Sequence, residues 1–235
     1  MAPQPSGNNG NSVLWTGTED LQKPGDLGVY HRRVDSVSGF VLAGGKSSRM
    51  GQDKAFLELG GRTLLAQALE KVRAVTANTW IVGSAAKFAG FGPVVEDVFP
   101  ACGPLGGIQA ALTATSTDLN LVTAVDMPFL QLDFLNYLIA RARASNAVVV
   151  VPRAGGGLQP LCAIYRKKFV EVAQRSLRAG NNKVGSLFAE VHTLVVEESE
   201  LQQSGFAEEM FRNLNTEPEW QEAKQKLSAG DQKHL

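Results

Sequence analysis

The sequence predicts a three-layer α/β/α sandwich built on a mainly parallel sheet. Two observations carry that expectation. Strand-like and helix-like segments alternate in the order βαββαβαβ, the pattern of crossover-connected parallel strands. The strand-like runs are also short, continuous and apolar, as befits strands covered on both faces. At 235 residues, 44% of them hydrophobic, the chain can bury one substantial core and needs no second one.

The first strand is expected at Phe40–Ala43, closed by Gly44-Gly45. A helix follows from Thr63 to Val72, where apolar residues recur at helical spacing. Short strands are expected at Thr79–Val82 and Val94–Val95, then a helix at Leu105–Thr115. Leu119–Asp126 reads as a buried strand by its length and β-branching, with a helix after it from Leu132 to Ala144. The valine-rich run Ala147–Val151 belongs in the sheet interior, and Cys162 sits mid-strand in the core.

The ends read differently. Residues 1–36 are polar, glycine-rich and without periodicity, and are expected to form a flexible extension. Residues 37–228 then make a single domain, and 229–235 a frayed tail.

Twenty-three basic residues balance 23 acidic ones, so no whole-molecule field favours nucleic acid or a membrane surface. No apolar stretch approaches the ~20 residues of a membrane span, and no secretory leader is evident, so a cytoplasmic protein is expected. Cys102 and Cys162 make neither a disulfide framework nor a metal-ligand cluster. The three histidines lie near no plausible nucleophile, which leaves a Ser-His or Cys-His mechanism without support.

The chemistry concentrates in Leu42-Ala-Gly-Gly-Lys-Ser-Ser-Arg-Met-Gly-Gln-Asp-Lys54. Glycines at a strand end let the backbone turn and approach a ligand closely. Lys46, Arg49 and Lys54 then bring three cations to one loop, which suits a triphosphate. The loop is neither a P-loop nor a dinucleotide fingerprint, because Gly44 and Gly45 are adjacent and Lys46 follows them.

Ligands of open α/β sheets bind beyond the carboxyl ends of the strands. That rule singles out Asp97 and Asp126. Pro128 cannot continue a ladder, which leaves Asp126 at the rim as the candidate Mg²⁺ ligand. Cys102-Gly-Pro-Leu-Gly-Gly-Ile108 offers Pro104 for a helix start, with glycines that allow a base or ribose to lie close.

The opening loop resembles the signature of GT-A-like nucleotidyltransferases, and within them the molybdenum cofactor guanylyltransferases, whose pattern is L-A-G-G-x-S-x-R-M-G-x-D-K. Val125-Asp-Met-Pro-Phe129 is similar to that family's C-D-M-P-F, with valine for cysteine. Gly103–Ile108 resembles G-P-L-A-G-I, with Gly106 for alanine. Gln159–Arg166 resembles Q-P-L-C-A-L-Y-R, and Phe211–Pro218 resembles F-x-N-I-N-T-P, with Glu217 inserted before the proline. The resemblance spans about 38–220 and implies a Rossmann-like GT-A sheet.

It also implies an activity: transfer of GMP from GTP to molybdenum-bearing molybdopterin with release of pyrophosphate. Arg49, Lys54 and Asp126 would be catalytic, with Asp126 holding Mg²⁺. Leu42, Ala43, Gly44, Gly45, Lys46, Ser47, Asp97, Gly103, Gly107, Asn213 and Asn215 would complete the nucleotide and acceptor sites. Gln159, Arg166 and Arg153 are candidates to face the second substrate. Gly83 stands where the family often has a polar residue against the base and has no side chain to offer. Asn213 and Asn215 are equally well explained by a turn held by asparagine side chains. By analogy, the product would pass to other cofactor-assembly proteins or to molybdoenzymes. Base choice between guanine and cytosine stays open at the level of spacing.

Overall fold

The computed structural model describes residues 36–44, 53–99 and 101–231. Its frame is one sheet of strands β1 (Val37–Leu42), β4 (Asn78–Val82), β5 (Val94–Val95), β6 (Leu119–Ala124), β7 (Val149–Ala154), β9 (Cys162–Arg166) and β10 (Thr193–Val196). The order across it is β10-β7-β9-β6-β1-β4-β5. β8 (Gly157–Leu158) folds back on β7, and β2 (Glu58–Leu59) pairs with β3 (Arg62–Thr63) in a separate ribbon. β1 is parallel to β4 and β6, and β4 to β5. β9 runs antiparallel between β6 and β7.

Helices cover both faces. On one side lie α1 (Leu64–Val75), α4 (Leu132–Arg143), α6 (Glu198–Gln203) and α7 (Glu217–Asp231). On the other lie α3 (Gly103–Ala114) and α5 (Phe169–Arg178), while α2 (Ala85–Phe88) is a single turn beside β5. All six residues of β1 are buried, and alternation divides them: Val41 faces the α1/α4 core, while Phe40 and Leu42 face the α3/α5 core. A strand sandwiched in this way has no solvent face, which is why Phe40–Ala43 reads as an unbroken apolar run, while the buried Ser38 is satisfied by the Thr117 hydroxyl, which donates to it at 2.8 Å.

Gly39 lets α1 settle on the sheet. A Cβ there would lie 2.2 Å from Val72 Cγ1 and 2.8 Å from Thr76 Oγ1, so the helix could not keep its distance from any other residue. α1 starts where Thr63 Oγ1 accepts the Ala66 N–H at 3.2 Å, a serine/threonine-type cap.

Every element expected from β1 to α4 is present, with ends shifted by up to three residues, while β2, β3 and α2 between them are additions not expected from the sequence. β7 is longer than the valine run and includes Pro152, whose carbonyl accepts the Gln159 N–H at 2.9 Å. The expected N-terminal extension up to residue 35 lies outside the described residues, as do Gly45 to Gln52. α7 runs to Asp231, into the stretch expected to fray. Among the described residues no helix is long and apolar enough to cross a membrane.

Candidate active site

After β1 the chain builds outward to β4 and β5, then returns to lay β6 on the other side of β1. Strand order therefore reverses at β1, and the carboxyl ends of β6, β1, β4 and β5 share one edge. Backbone hydrogen bonds lock that edge. Val125 N–H donates to Leu42 O (3.1 Å), Ala43 and Gly44 N–H both donate to Val82 O (3.0 and 3.1 Å), and Gly83 N–H donates to Val95 O (3.0 Å). The amides of Ala43 and Gly44 are thus committed within the sheet, and these two residues form wall rather than N–H donors.

A cleft of about 970 Å³ opens above these strand ends. That is the upper end of the usual range for small-molecule sites. Leu42, Val82, Ala124 and Leu161 give it an apolar floor. Gly107 keeps α3 close to that floor, since a Cβ on it would lie 3.3 Å from Leu42 Cδ2. From β6 to β5 the edge spans three strand spacings, roughly 14 Å.

The two ends of the cleft differ in chemistry. At the β6 end Lys54 Nζ lies 3.2 Å from Asp126 Oδ2 and donates to Asn215 Oδ1 at 2.6 Å. Both members of the ion pair are mostly covered, with side chains 18% and 21% exposed. Lys54 opens a 3-10 turn whose cap is Asp53, Oδ1 accepting from Ala55 N–H at 3.2 Å. Asp53 is itself held by Lys87 at 2.8 Å. The aspartate before the lysine in the opening motif is therefore the device that aims Lys54.

Asn215 is positioned by the start of α7. Glu219 Oε2 accepts the N–H groups of both Asn215 and Thr216 at 2.8 Å, and Thr216 Oγ1 faces Glu219 N at 3.5 Å. Thr216-Glu-Pro-Glu219 is a capping box, with its carboxylate reaching one residue further back than usual. These backbone hydrogen bonds, Asn215's first, pull the Glu219 carboxyl below its ordinary range. The turn is thus held by Glu219 rather than by asparagine side chains, which leaves the Asn215 amide to serve Lys54. The Leu214 N–H donates to Asp126 O at 3.1 Å, tying this late segment to the β6 tip. Asn213 and Asn215 are both exposed, and Asn215 is the one whose amide oxygen accepts from Lys54.

At the β5 end stand Glu96 and Asp97. Glu96 Oε1 caps α2 by accepting the Ala85 N–H at 2.8 Å, and Ser84, the formal cap residue, makes no cap hydrogen bond and lines the cleft. Asp97 Oδ1 accepts the Phe99 N–H at 2.7 Å. Burial raises the Asp97 pKa above the usual carboxylate value, and that N–H partly offsets the rise. Gly83 is packed on Phe88, whose ring would stand 2.8 Å from a Cβ at position 83. Gly103 lines the cleft with φ near +65°, a left-handed conformation suited to glycine, and Pro104 follows in the first turn of α3.

The structure thus brings Leu42, Ala43, Gly44, Lys54, Asp97, Gly103, Gly107 and Asp126 to one cleft, with Asn215 bonded to Lys54 at its edge. Gly45, Lys46, Ser47 and Arg49 lie outside the described residues. Three residues expected to face the second substrate lie outside this cleft. Arg166 pairs with Leu119, at the opposite end of β6 from Asp126. There it bonds Asp118, Ala147 O (2.9 Å) and Ser145 O (2.7 Å) beyond the end of α4. Gln159 closes the β7–β8 hairpin through Ala154 O at 2.9 Å. Arg153 makes a half-exposed pair with Glu197 at 2.8 Å. None of the three lines the cleft.

Two oxygens of different residues, from Asp126 and Asn215, converge on the Lys54 ammonium. One carboxylate and one amide oxygen are hard donors that suit Mg²⁺, provided substrate phosphates and water complete its shell. Among the described residues no cluster of three or more His, Cys, Asp or Glu offers an all-protein cage. The donor set fits a metal shared with substrate.

Comparison with known proteins places the chain in a family. Residues 39–194 match the family model described as the MobA-like NTP transferase domain. A probable molybdenum cofactor guanylyltransferase of Pelotomaculum thermopropionicum is 36% identical over 183 residues, covering 77% of this chain and 88% of that protein. A protein of the same description from Carboxydothermus hydrogenoformans is 31% identical over 189 residues, covering 80% and 95%. The crystal structure of molybdopterin-guanine dinucleotide biosynthesis protein A from Archaeoglobus fulgidus superposes with a TM-score of 0.73 at 24% identity, covering 82% of this chain and 99% of that one. It shares the fold.

Proposed function

We propose that this chain, which belongs to the MobA-like NTP transferase family, transfers GMP from GTP to the terminal phosphate of molybdenum-bearing molybdopterin. The single observation that carries the reading is the polarity of the cleft. A cation, a carboxylate and an amide meet at the β6 end, and two carboxylates stand at the β5 end. A nucleoside triphosphate laid across the edge would place its phosphates at Lys54 and its nucleoside near Asp97. The reverse orientation would press the triphosphate against Glu96 and Asp97, which is electrostatically unfavourable.

In the reaction a phosphate oxygen of the acceptor attacks the α-phosphorus of GTP. A new P–O bond forms, the bond to the β-phosphate breaks, and pyrophosphate leaves with the electron pair. With a second phosphate pKa near ~6, the acceptor is mostly ionised at neutral pH and needs little help from a general base. What the protein supplies is alignment and charge cancellation between two anions. Lys54 would neutralise the phosphates, with Lys46 and Arg49 adding charge from the opening loop. Asp126 and Asn215 would hold Mg²⁺ with the substrate oxygens. That ion, when bound, supplies Lewis-acid polarisation of the phosphates. The names of the curated relatives support guanine as the base.

Pyrophosphate release, measured with molybdenum-loaded molybdopterin, Mg²⁺ and either GTP or CTP, tests the proposal. GTP is expected to be the substrate. Turnover of CTP at an equal or higher rate overturns the guanine assignment, and no release with either nucleotide overturns the reaction.

A further inference from the structure

We infer that Lys71 is a positioning residue for the Asp126 carboxylate, because its ammonium reaches across from α1 and fixes the turn that carries Asp126 past the end of β6. The inference rests on the reading of Asp126 as the group that meets metal and nucleotide. Lys71 is half-buried on α1 and donates through Nζ to the carbonyl oxygen of Pro128, a buried residue two positions beyond Asp126. It does not itself line the cleft.

A lysine in this place needs a reason. Leu64, Leu65, Leu69 and Val72 make the buried face of α1, and an apolar side chain at 71 would extend it without desolvating a charge. Burial pulls the Lys71 pKa below its ordinary value; Glu70 opposes that fall and Arg62 adds to it. What the ammonium gains is Pro128 O, and a hydrogen bond from a charged donor is stronger than one between neutral groups.

Three elements pin the strand tip. Val125 N–H donates to Leu42 O of β1 at 3.1 Å, and Leu214 N–H in the late segment donates to Asp126 O at 3.1 Å. Both are backbone bonds, which a change of side chain leaves in place. On the outgoing side Pro128 has no N–H to give, and the Leu130 N–H reaches Met127 O only at 3.4 Å. The third tie, from Lys71 on α1, fixes that side, and a side chain supplies it. Only the buried Met127 separates Pro128 from Asp126, so a shift of one is passed to the other.

Lys71 thus acts on the ligand through the carboxylate. An Asp126 moved off its place weakens the part of nucleotide binding that runs through the metal and spares the part that does not. A lysine that merely held α1 to the top of α4 would affect both parts alike, through stability.

The test is calorimetric titration of GTP, with and without Mg²⁺, into the full chain and into Lys71→Met, Asp126→Ala and the double variant, with Tm recorded for each. Mg²⁺ is expected to tighten GTP in the unaltered chain. Lys71→Met is expected to lose about tenfold of that gain, the scale seen when a supporting partner of a metal ligand is removed, with metal-free GTP affinity unchanged. In the Asp126→Ala background Lys71→Met is expected to have no further effect, since the group it positions is gone. If Lys71→Met does not fold, Lys71→Gln, which keeps an N–H donor without the charge and reaches less far, takes its place with the same expectations. A full Mg²⁺ gain in the position-71 variant overturns the inference, and so does an equal loss with and without Mg²⁺. A further loss in the double variant overturns it as well, because Lys71 would then act by another route. Failure of the unaltered chain to bind GTP, or a full Mg²⁺ gain in Asp126→Ala, overturns the underlying reading of the site instead.

Discussion

Lys54 and Asp126 stand 72 positions apart in sequence and meet at 3.2 Å. The pair sits at the rim of the sheet, where a lysine aimed by the Asp53 turn reaches the tip of β6. Its placement at a strand-end cleft, and not its contribution to stability, accounts for the geometry.

Removing the carboxylate is the sharpest check. Asp126→Ala should lower turnover by at least ~100-fold, in the range seen when a preorganised electrostatic group is lost. Tm should stay within a few degrees of the unaltered protein, because such rim pairs contribute little to folding, about 0–1 kcal/mol. Retention of activity would remove Asp126 from the site chemistry.

Lys54→Ala should raise the KM for GTP and lower the rate together, because the ammonium is expected to act in both ground and transition states. Steady-state kinetics over a range of GTP concentrations read this directly. A change in neither constant would show that Lys54 takes no part in holding GTP.

Glu219→Gln should destabilise the protein modestly, by about 0.5–1 kcal/mol at neutral pH for loss of a capping carboxylate, an effect reduced by solvent screening at this exposed position. Its folded pKa lies below the unfolded value, so the stabilisation is fully present above the unfolded pKa, near 4.5. It is lost as pH falls through the lower folded pKa. Denaturant melts of both proteins between pH 7 and about 3 should converge at the acid end. A gap that stays constant with pH would mean the carboxylate's charge is not what the turn uses.

Gly39→Ala forces a methyl into space already held by Val72 and Thr76. Overpacking of this kind costs about 1–3 kcal/mol. Chemical denaturation should show the loss, while the KM for GTP stays unchanged because the position lies within β1 and away from the cleft. Unaltered stability would show that α1 can shift without cost.

The sequence made the central strands and the strand-end rule legible because β1, β6 and β7 are built around apolar, β-branched runs and lead into glycine or acid. Lys54, Asp97 and Asp126 followed from that rule and from the motif. Pairing direction was not legible. β9 is as apolar as a parallel neighbour, and nothing in Cys162–Tyr165 records that it runs the other way. That reversal carries Arg166 to the far edge of the sheet and explains why a residue within a matching motif is not at the cleft. The role of Asn215 was only half readable. Thr216-x-x-Glu219 is a visible capping signal, and reading it would have freed the asparagine from a turn-holding role. The Lys71–Pro128 contact joins residues on separate elements and has no local signature.

The three groups that meet at the β6 end come from positions 54, 126 and 215. Chains emerge from the ribosome N-terminus first, so the Lys54–Asn215 contact cannot close until synthesis has passed Asn215, long after β1 and β6 have been made. A nascent or truncated chain ending before Asn215 would lack that contact even with its sheet already formed.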